Sequence, residues 1–417
     1  MKFFSGVALT LCLTSTCAFN ASPFGYKSQS VAFSSSSSSS SSVWSASEKT
    51  SETSTNTANE SHELDNYNLS PNYAAAYWNA KNTLSSLISK KEILQPLLHF
   101  LVEYLAANQA SYQAGNEAST ASLAAGRMLT AIQLGVKHGM GTEKYLFGSS
   151  HKALRGNPDT EDGNEYDFYA FGCDFFKSVM NVEKSVILGQ ENFAKAMDFI
   201  SKGENVVFLA NHQSEADPQV MSVCLEKAGF GKEAENIVYV AGHKVTTDPL
   251  AIPFSMGRNL ICIHSKKHID AEPELKPLKQ RQNLSAMASM LDMLKKGGCC
   301  LWVAPSGGRD RRNLVTREVP PAPFDSKTID MFRLMGNKSK VKTHYFPLAM
   351  VSYDLCPPPD FVDPGVGEQR NVRFVPVGIK CGEEIISEGG LDRRQEFCDQ
   401  AMQTCLDDYQ DLLLNLN

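Results

Sequence analysis

The chain has 417 residues, 42% of them hydrophobic and 21% charged, with a formal net charge of −6 at pH 7. These fractions are those of a soluble globular protein with ample core, and the length allows one large domain or two to three ordinary ones. The mild negative charge and the lack of a long basic block exclude a dedicated nucleic-acid binder, and beyond residue 19 no apolar run approaches the roughly 20 residues a transmembrane helix needs.

Residues 1–18, "MKFFSGVALTLCLTSTCA", carry one early Lys, a short apolar run and small residues at the end. That is the form of a secretory signal peptide cleaved near Ala18. Residues 19–46 are Ser-rich, contain Lys27 and hold no acid, a transit-peptide-like composition. The pair, with Phe19 directly after the cleavage site, resembles the bipartite leaders of algae with complex plastids, which implies delivery to the plastid stroma. The alternative is secretion with a Ser-rich spacer, which sequons such as Asn59-Glu60-Ser61 permit. Two of the 11 cysteines lie in the leader; the other nine are scattered, odd in number and form no C-x-x-C pair. A reducing compartment, and so the plastid, fits them better than a disulfide framework. Residues 47–69 are polar and aperiodic and are expected to form a disordered linker.

From residue 70 to 145 apolar residues recur at three- and four-residue spacing, which predicts a small helical bundle domain. Pro96 is expected in the first turn of its second helix. Over 146–417 the pattern changes to short apolar runs alternating with helices. The runs are "NVVFLA" (205–210), "NIVYVA" (236–241), "NLICIH" (259–264), "CCLWVA" (299–304), "HYFPLAMVSYD" (344–354) and "RNVRFVPVGI" (370–379). The expected fold class is therefore α/β: a mixed, largely parallel sheet covered by helices on both faces. Sites in such sheets form beyond the carboxyl ends of the strands.

Three polar clusters lie there. In "VVFLANHQSEADPQV" (206–220), Asp217-Pro218 has the form of a helix start, with Asp as N-cap. A cap does not require His212. A tight turn can instead join the two side chains, so that the carboxylate holds the imidazole as a general base for an alcohol. In "HSKKHID" (264–270), His264 and His268 have metal-like spacing, but the charges of Lys266 and Lys267 disfavour a cation. An anion site or a solvated patch are the readings left open. In "VAPSGGRDRR" (303–312) the two glycines and then Arg309 and Arg311 suit a phosphate, although such a run is also common in loops. Together the clusters suggest a reaction on the hydroxyl of a small phosphorylated substrate.

The order of the blocks "YDFYAFGCDFF", "NHQSEADP", "TDPLAIPFSMGRNLICIHSKKH", "WVAPSGGRDR" and "HYFPLAMVSYDLCPPP" resembles the soluble, plastid-type glycerol-3-phosphate acyltransferases, from about residue 70 to the C-terminus. The resemblance implies transfer of a fatty acyl group from acyl-carrier protein (acyl-ACP), or from acyl-CoA, to the sn-1 hydroxyl of glycerol 3-phosphate. The product would be lysophosphatidate, at the start of phospholipid synthesis. By motif, His212 is the implied general base and Asp217 its partner, while Lys267, His268, Arg309 and Arg311 bind glycerol 3-phosphate. No metal or other cofactor is implied, and contact with a membrane would be a transient surface contact for product release. Two departures stand out: His243-Lys244 in "AGHKV" where the family commonly has an Asp-Arg-like pair, and Arg312 where it often has Pro. Competing readings are a lysophosphatidate acyltransferase, an acyl thioesterase-type hydrolase using His212 and water, and a non-catalytic lipid- or carrier-binding protein.

Overall fold

The computed structural model describes residues 64–88, 91–140, 144–156, 166–264, 269–270, 272–359, 369–387 and 393–416. The leader expected over 1–18 and 19–46, and most of the linker expected over 47–69, lie outside these residues. Helices α1 (Pro71–Leu87), α2 (Lys91–Gln113) and α3 (Ala121–Gly135) pack on one another. Their apolar spacing buries Tyr77, Leu84, Leu101, Leu105 and Met128 between them. Pro96 lies inside α2 rather than in its first turn, because the helix already starts at Lys91. One helical hydrogen bond is missing at that point.

The remaining chain alternates strand and helix. In order these are β1 (Ser150–His151), α4 (Phe168–Lys177), β2 (Val186–Leu188), α5 (Gln190–Ser201), β3 (Asn205–Ala210) and α6 (Asp217–Lys227). Then come α7 (Gly231–Ala234), β4 (Val238–Gly242), α8 (Ile252–Met256), β5 (Asn259–Ile263) and α9 (Lys276–Lys296). The last are β6 (Cys300–Val303), α10 (Ser326–Ser339), β7 (Thr343–Val351), β8 (Gly378–Cys381) and α11 (Arg394–Leu416). The strands form one sheet in the order β1-β5-β4-β6-β3-β7-β8-β2. The five from β5 to β7 are parallel, while β1 and β8 run antiparallel to their inner neighbours. The sheet is mixed, mostly parallel, and flanked by helices, as the alternation predicts.

Both faces of the sheet are covered, and the strands show it residue by residue. Val206, Phe208 and Ala210 of β3 enter a core shared with α4, α5, α6 and the three N-terminal helices. Val207 and Leu209 enter a second core built with α9, α10 and α11. This is why the strands read as continuous apolar runs instead of alternating ones. The run over 370–379 behaves differently: only its end joins β8, preceded by an isolated bridge at Val375. Pro376 has no N–H to give to a ladder and interrupts the pairing.

Where the helices meet the sheet, two motif blocks prove to be packing devices. Arg258 is buried, lies 4.5 Å over the Tyr169 ring, and donates to Ser222 Oγ at 2.5 Å and Cys173 Sγ at 3.3 Å. Next to it, Gly257 lies against the backbone of α4: a Cβ there would fall 2.3 Å from the Phe168 carbonyl oxygen. Gly126 in α3, by contrast, has nothing within 4 Å of the same position. Gly257→Ala is expected to lower stability by about 1–3 kcal/mol or more through overpacking. Gly126→Ala should be neutral or stabilising by up to about 1 kcal/mol. Chemical denaturation midpoints of the two variants test this pair of outcomes.

Candidate active site

The five parallel strands open their carboxyl ends on one edge of the sheet, and the segment leaving β3 is the centre of that edge. Asp217 is the first residue of α6, and the N-cap position belongs to Ala216. The carboxylate does not cap the helix; it turns back into the loop. Oδ2 accepts from His212 Nδ1 at 2.7 Å and from the Gln213 N–H at 2.8 Å. Oδ1 accepts from the Ser214 N–H at 3.2 Å, Ser214 Oγ at 3.1 Å and Ser352 Oγ at 2.5 Å. Asp217 has no exposed surface, whereas the His212 side chain keeps 26% of its own. Because both carboxylate oxygens act as acceptors, the Nδ1 proton belongs to His212, which leaves Nε2 with its lone pair free. The imidazole and the Trp302 ring of β6 stand at 83° to one another, with centroids 5.6 Å apart.

The loop is tied to the neighbouring strands by side chains that are buried or, for Glu215, half-buried. Asn211 pairs with the Met350 backbone, accepting its N–H at 2.7 Å and donating to its carbonyl at 3.0 Å. Gln213 Oε1 accepts from the N–H groups of Ser352 and Tyr353 at 2.8 and 3.1 Å, and its Nε2 lies 3.2 Å from Tyr409 Oη of α11. Glu215 takes Arg370 at 2.6 Å, and Arg370 also reaches Asp248 at 2.8 Å. Burial alone would lower the Arg370 guanidinium, but the carboxylates of Glu215 and Asp248 more than offset it and hold its pKa above the ordinary value. For Asp248 burial pushes upward, and Arg370 outweighs it, so this carboxyl lies below its ordinary range.

The arginine segment follows β6. Gly307, at φ 71°, makes the turn that a side chain would strain. Asp310 then points inward with no exposed surface, accepting from Asn211 Nδ2 at 2.9 Å and from the Ala322 N–H at 2.8 Å. Burial pushes its carboxyl up to about 6. Arg309 and Arg311 flank it and are partly exposed. Arg311 donates to the Pro359 carbonyl at 2.9 Å. Arg312 is held differently: its guanidinium lies 5.0 Å over the Tyr353 ring and pairs with Asp354 at 2.5 Å. That contact gives this departure a structural role.

Of the residues singled out in the sequence, His212 and Asp217 are in direct contact, and Arg309 and Arg311 stand on the segment bonded to their loop. Lys267 and His268 lie outside the described residues. His264, just before them, stacks on His243 with ring centroids 4.2 Å apart. Burial, the neighbouring His264 and Lys279 all lower the His243 pKa. Sequence reasoning missed Asn211, Gln213, Ser352, Asp310 and Arg370. The first two and Asp310 lie inside quoted motifs but look like ordinary loop polars; Arg370 has no local signal at all.

The Acyltransferase family model matches residues 185–351, from the start of β2 to the end of β7. The chloroplastic glycerol-3-phosphate acyltransferase of Arabidopsis thaliana is 36% identical over 268 residues, which are 64% of this chain and 54% of that protein. The chloroplastic ATS11 enzyme of Cucurbita moschata is 39% identical over 246 residues, 59% of this chain and 53% of that one. The chloroplastic protein of Carthamus tinctorius is 39% identical over 244 residues, 58% and 51% of the two chains. This chain spans about half the length of the curated relatives it matches. Among solved structures, the 1-acyl-sn-glycerophosphate acyltransferase PlsC of Thermotoga maritima aligns with a TM-score of 0.36 at 15% identity over 59% of this chain and 78% of that one, too low to carry an argument. Residues 185–351 match the Acyltransferase family model, within a chain whose sequence is similar to that of the plastid glycerol-3-phosphate acyltransferases.

Proposed function

We propose that the protein transfers a fatty acyl chain from an acyl thioester, carried by acyl-carrier protein or coenzyme A, to the sn-1 hydroxyl of glycerol 3-phosphate. The observation that carries this reading is the 2.7 Å contact between His212 and the buried Asp217, on a loop bonded to the arginine segment. His212 Nε2 takes the hydroxyl proton as the oxygen attacks the thioester carbonyl. The tetrahedral intermediate then collapses, the carbon–sulfur bond breaks, and the imidazolium returns the proton to the departing thiolate. Arg309 and Arg311, together with Lys267 and His268, hold the phosphate. Guanidinium groups suit that task because they bind phosphate oxygens in pairs. The thioester is already activated, so no acyl-enzyme is required. Similarity to proteins named chloroplastic supports a plastid location, and the leader read in residues 1–46 supports the stroma. We further propose a helical domain over 70–145 and a catalytic α/β domain over 146–417.

The purified full chain, supplied with labelled acyl-ACP and glycerol 3-phosphate, is expected to make lysophosphatidate. Free fatty acid as the sole product would assign a thioesterase instead, and a strong preference for lysophosphatidate as acceptor would assign the next acylation step.

His212→Ala should lower kcat by about 10²–10⁴-fold while the melting temperature stays close to wild type, since the side chain is a partly exposed base. Arg309→Ala should act on the Michaelis constant for glycerol 3-phosphate and little on kcat. An unchanged constant removes Arg309 from the phosphate site.

A further inference from the structure

An acid between two arginines would ordinarily be expected to pair with one of them. Asp310 does not: its two oxygens take the Asn211 side chain and the Ala322 N–H, deep under the segment. Its own N–H donates to the carbonyl of His212 at 2.5 Å. Asn211 and His212 are adjacent, so Asp310 holds the segment carrying the candidate base through the Asn211 side chain and the His212 carbonyl. Asn211 is in turn fixed on β7 through Met350. Ala322 belongs to the return segment before α10, where Tyr409 of α11 also donates to the Val319 carbonyl at 2.7 Å. Two chain segments, the loop after β3 and the return segment before α10, therefore meet on one carboxylate without exposed surface.

The burial of the segment shows the result: Asp310 is buried, while Arg309 and Arg311 on either side keep part of their surface. Asp310 is drawn inward, and its two neighbours are left toward the surface. Arg309 and Arg311 are thus set at a fixed offset from His212 by an anchor that touches neither of them by hydrogen bond. Burying a carboxyl here costs stability unless its bonds are complete, and its raised pKa of about 6 reports that cost. A residue needed only to fill space would be cheaper as an apolar side chain.

We propose that Asp310 is a positioning residue for the acceptor site: it holds Arg309 and Arg311 in register with the His212–Asp217 pair, so that phosphate and hydroxyl are presented together. This rests on the reading of the two arginines as phosphate ligands, and a double-mutant cycle separates the two ideas. Asp310→Asn, Asp310→Ser, Arg311→Ala and each double variant are made in the full chain. Initial rates are measured against glycerol 3-phosphate and against the acyl donor, with melting temperatures alongside. Asp310→Asn and Asp310→Ser are each expected to raise the Michaelis constant for glycerol 3-phosphate by about tenfold, with the donor constant and kcat changed by less than about threefold. Adding either to Arg311→Ala should worsen that constant by clearly less than the roughly tenfold seen alone, because one of the two arginines through which Asp310 acts is already gone. Multiplicative effects, or a loss of kcat with the constant unchanged, would overturn the proposal. Failure of both Asp310 variants to fold would also overturn it, by making Asp310 a requirement of the whole domain. If Arg311→Ala and Arg309→Ala leave the constant for glycerol 3-phosphate as in wild type, the phosphate reading itself falls, and the proposal with it.

Discussion

A carboxylate with no exposed surface has to be surrounded by donors, and in this protein that requirement shapes the whole edge of the sheet. Asp217 receives five hydrogen bonds, from His212, Gln213, Ser214 twice and Ser352. Three of the donors are side chains and two are backbone N–H groups of its own loop, so satisfying Asp217 forces the loop after β3 into a tight turn. Ser352 comes from the end of β7, so the same carboxylate also fixes where that strand stops. Leaving a buried donor or acceptor unpaired costs about 1–3 kcal/mol. A network with every member satisfied is therefore stiff, and His212 is held at its centre with one nitrogen committed and the other free.

The stiffness spreads outward through residues that have no part in the chemistry. Glu215 and Asp248 share Arg370, which joins the His212 loop, the segment after β4 and the chain ahead of β8. Arg258, stacked on Tyr169 and bonded to Ser222, joins α4 and α6 behind the loop. These are buried cations matched by carboxylates, an aromatic face or a hydroxyl, which is how a fold tolerates charge in its interior. The blocks "YDFYAFGCDFF" and "FSMGRNL" owe their unusual composition to this packing.

How much of this the sequence discloses follows from how local each cause is. The parallel strands are legible because both their faces are buried and they read as apolar runs. His212 and Asp217 are legible because only four residues and one turn separate them. The cap reading of Asp217 fails for a reason the spacing does not contain: the carboxylate finds five donors in the loop and on β7, and leaves the helix N-terminus to Ala216. Two-residue β1 and three-residue β2 are too short to produce a pattern, and the run over 370–379 is broken by the missing N–H of Pro376. Ser352 and Arg370 lie 135 and 155 residues from the loop partners they serve. Contacts across that distance leave no periodicity or spacing to read.

The inward turn of Asp310 has a consequence for how such a site divides its work. In the proposed reaction the thioester supplies the activation, so the protein has only to remove one proton and hold one phosphate. Neither task is demanding alone; an exposed His and two surface arginines could do each. The gain comes from doing both on one small molecule, where reactants held in register avoid much of the entropic cost of meeting. That register cannot be kept by long arginine side chains, which have many rotamers, and has to be set by the backbone from which they spring. A short residue whose backbone N–H binds the carbonyl of the base, and whose buried carboxylate binds the Asn211 side chain beside it, is a direct link between the two tasks. On the proposed reading, the dyad and the arginines work as one site because the chain between them is anchored at Asp310.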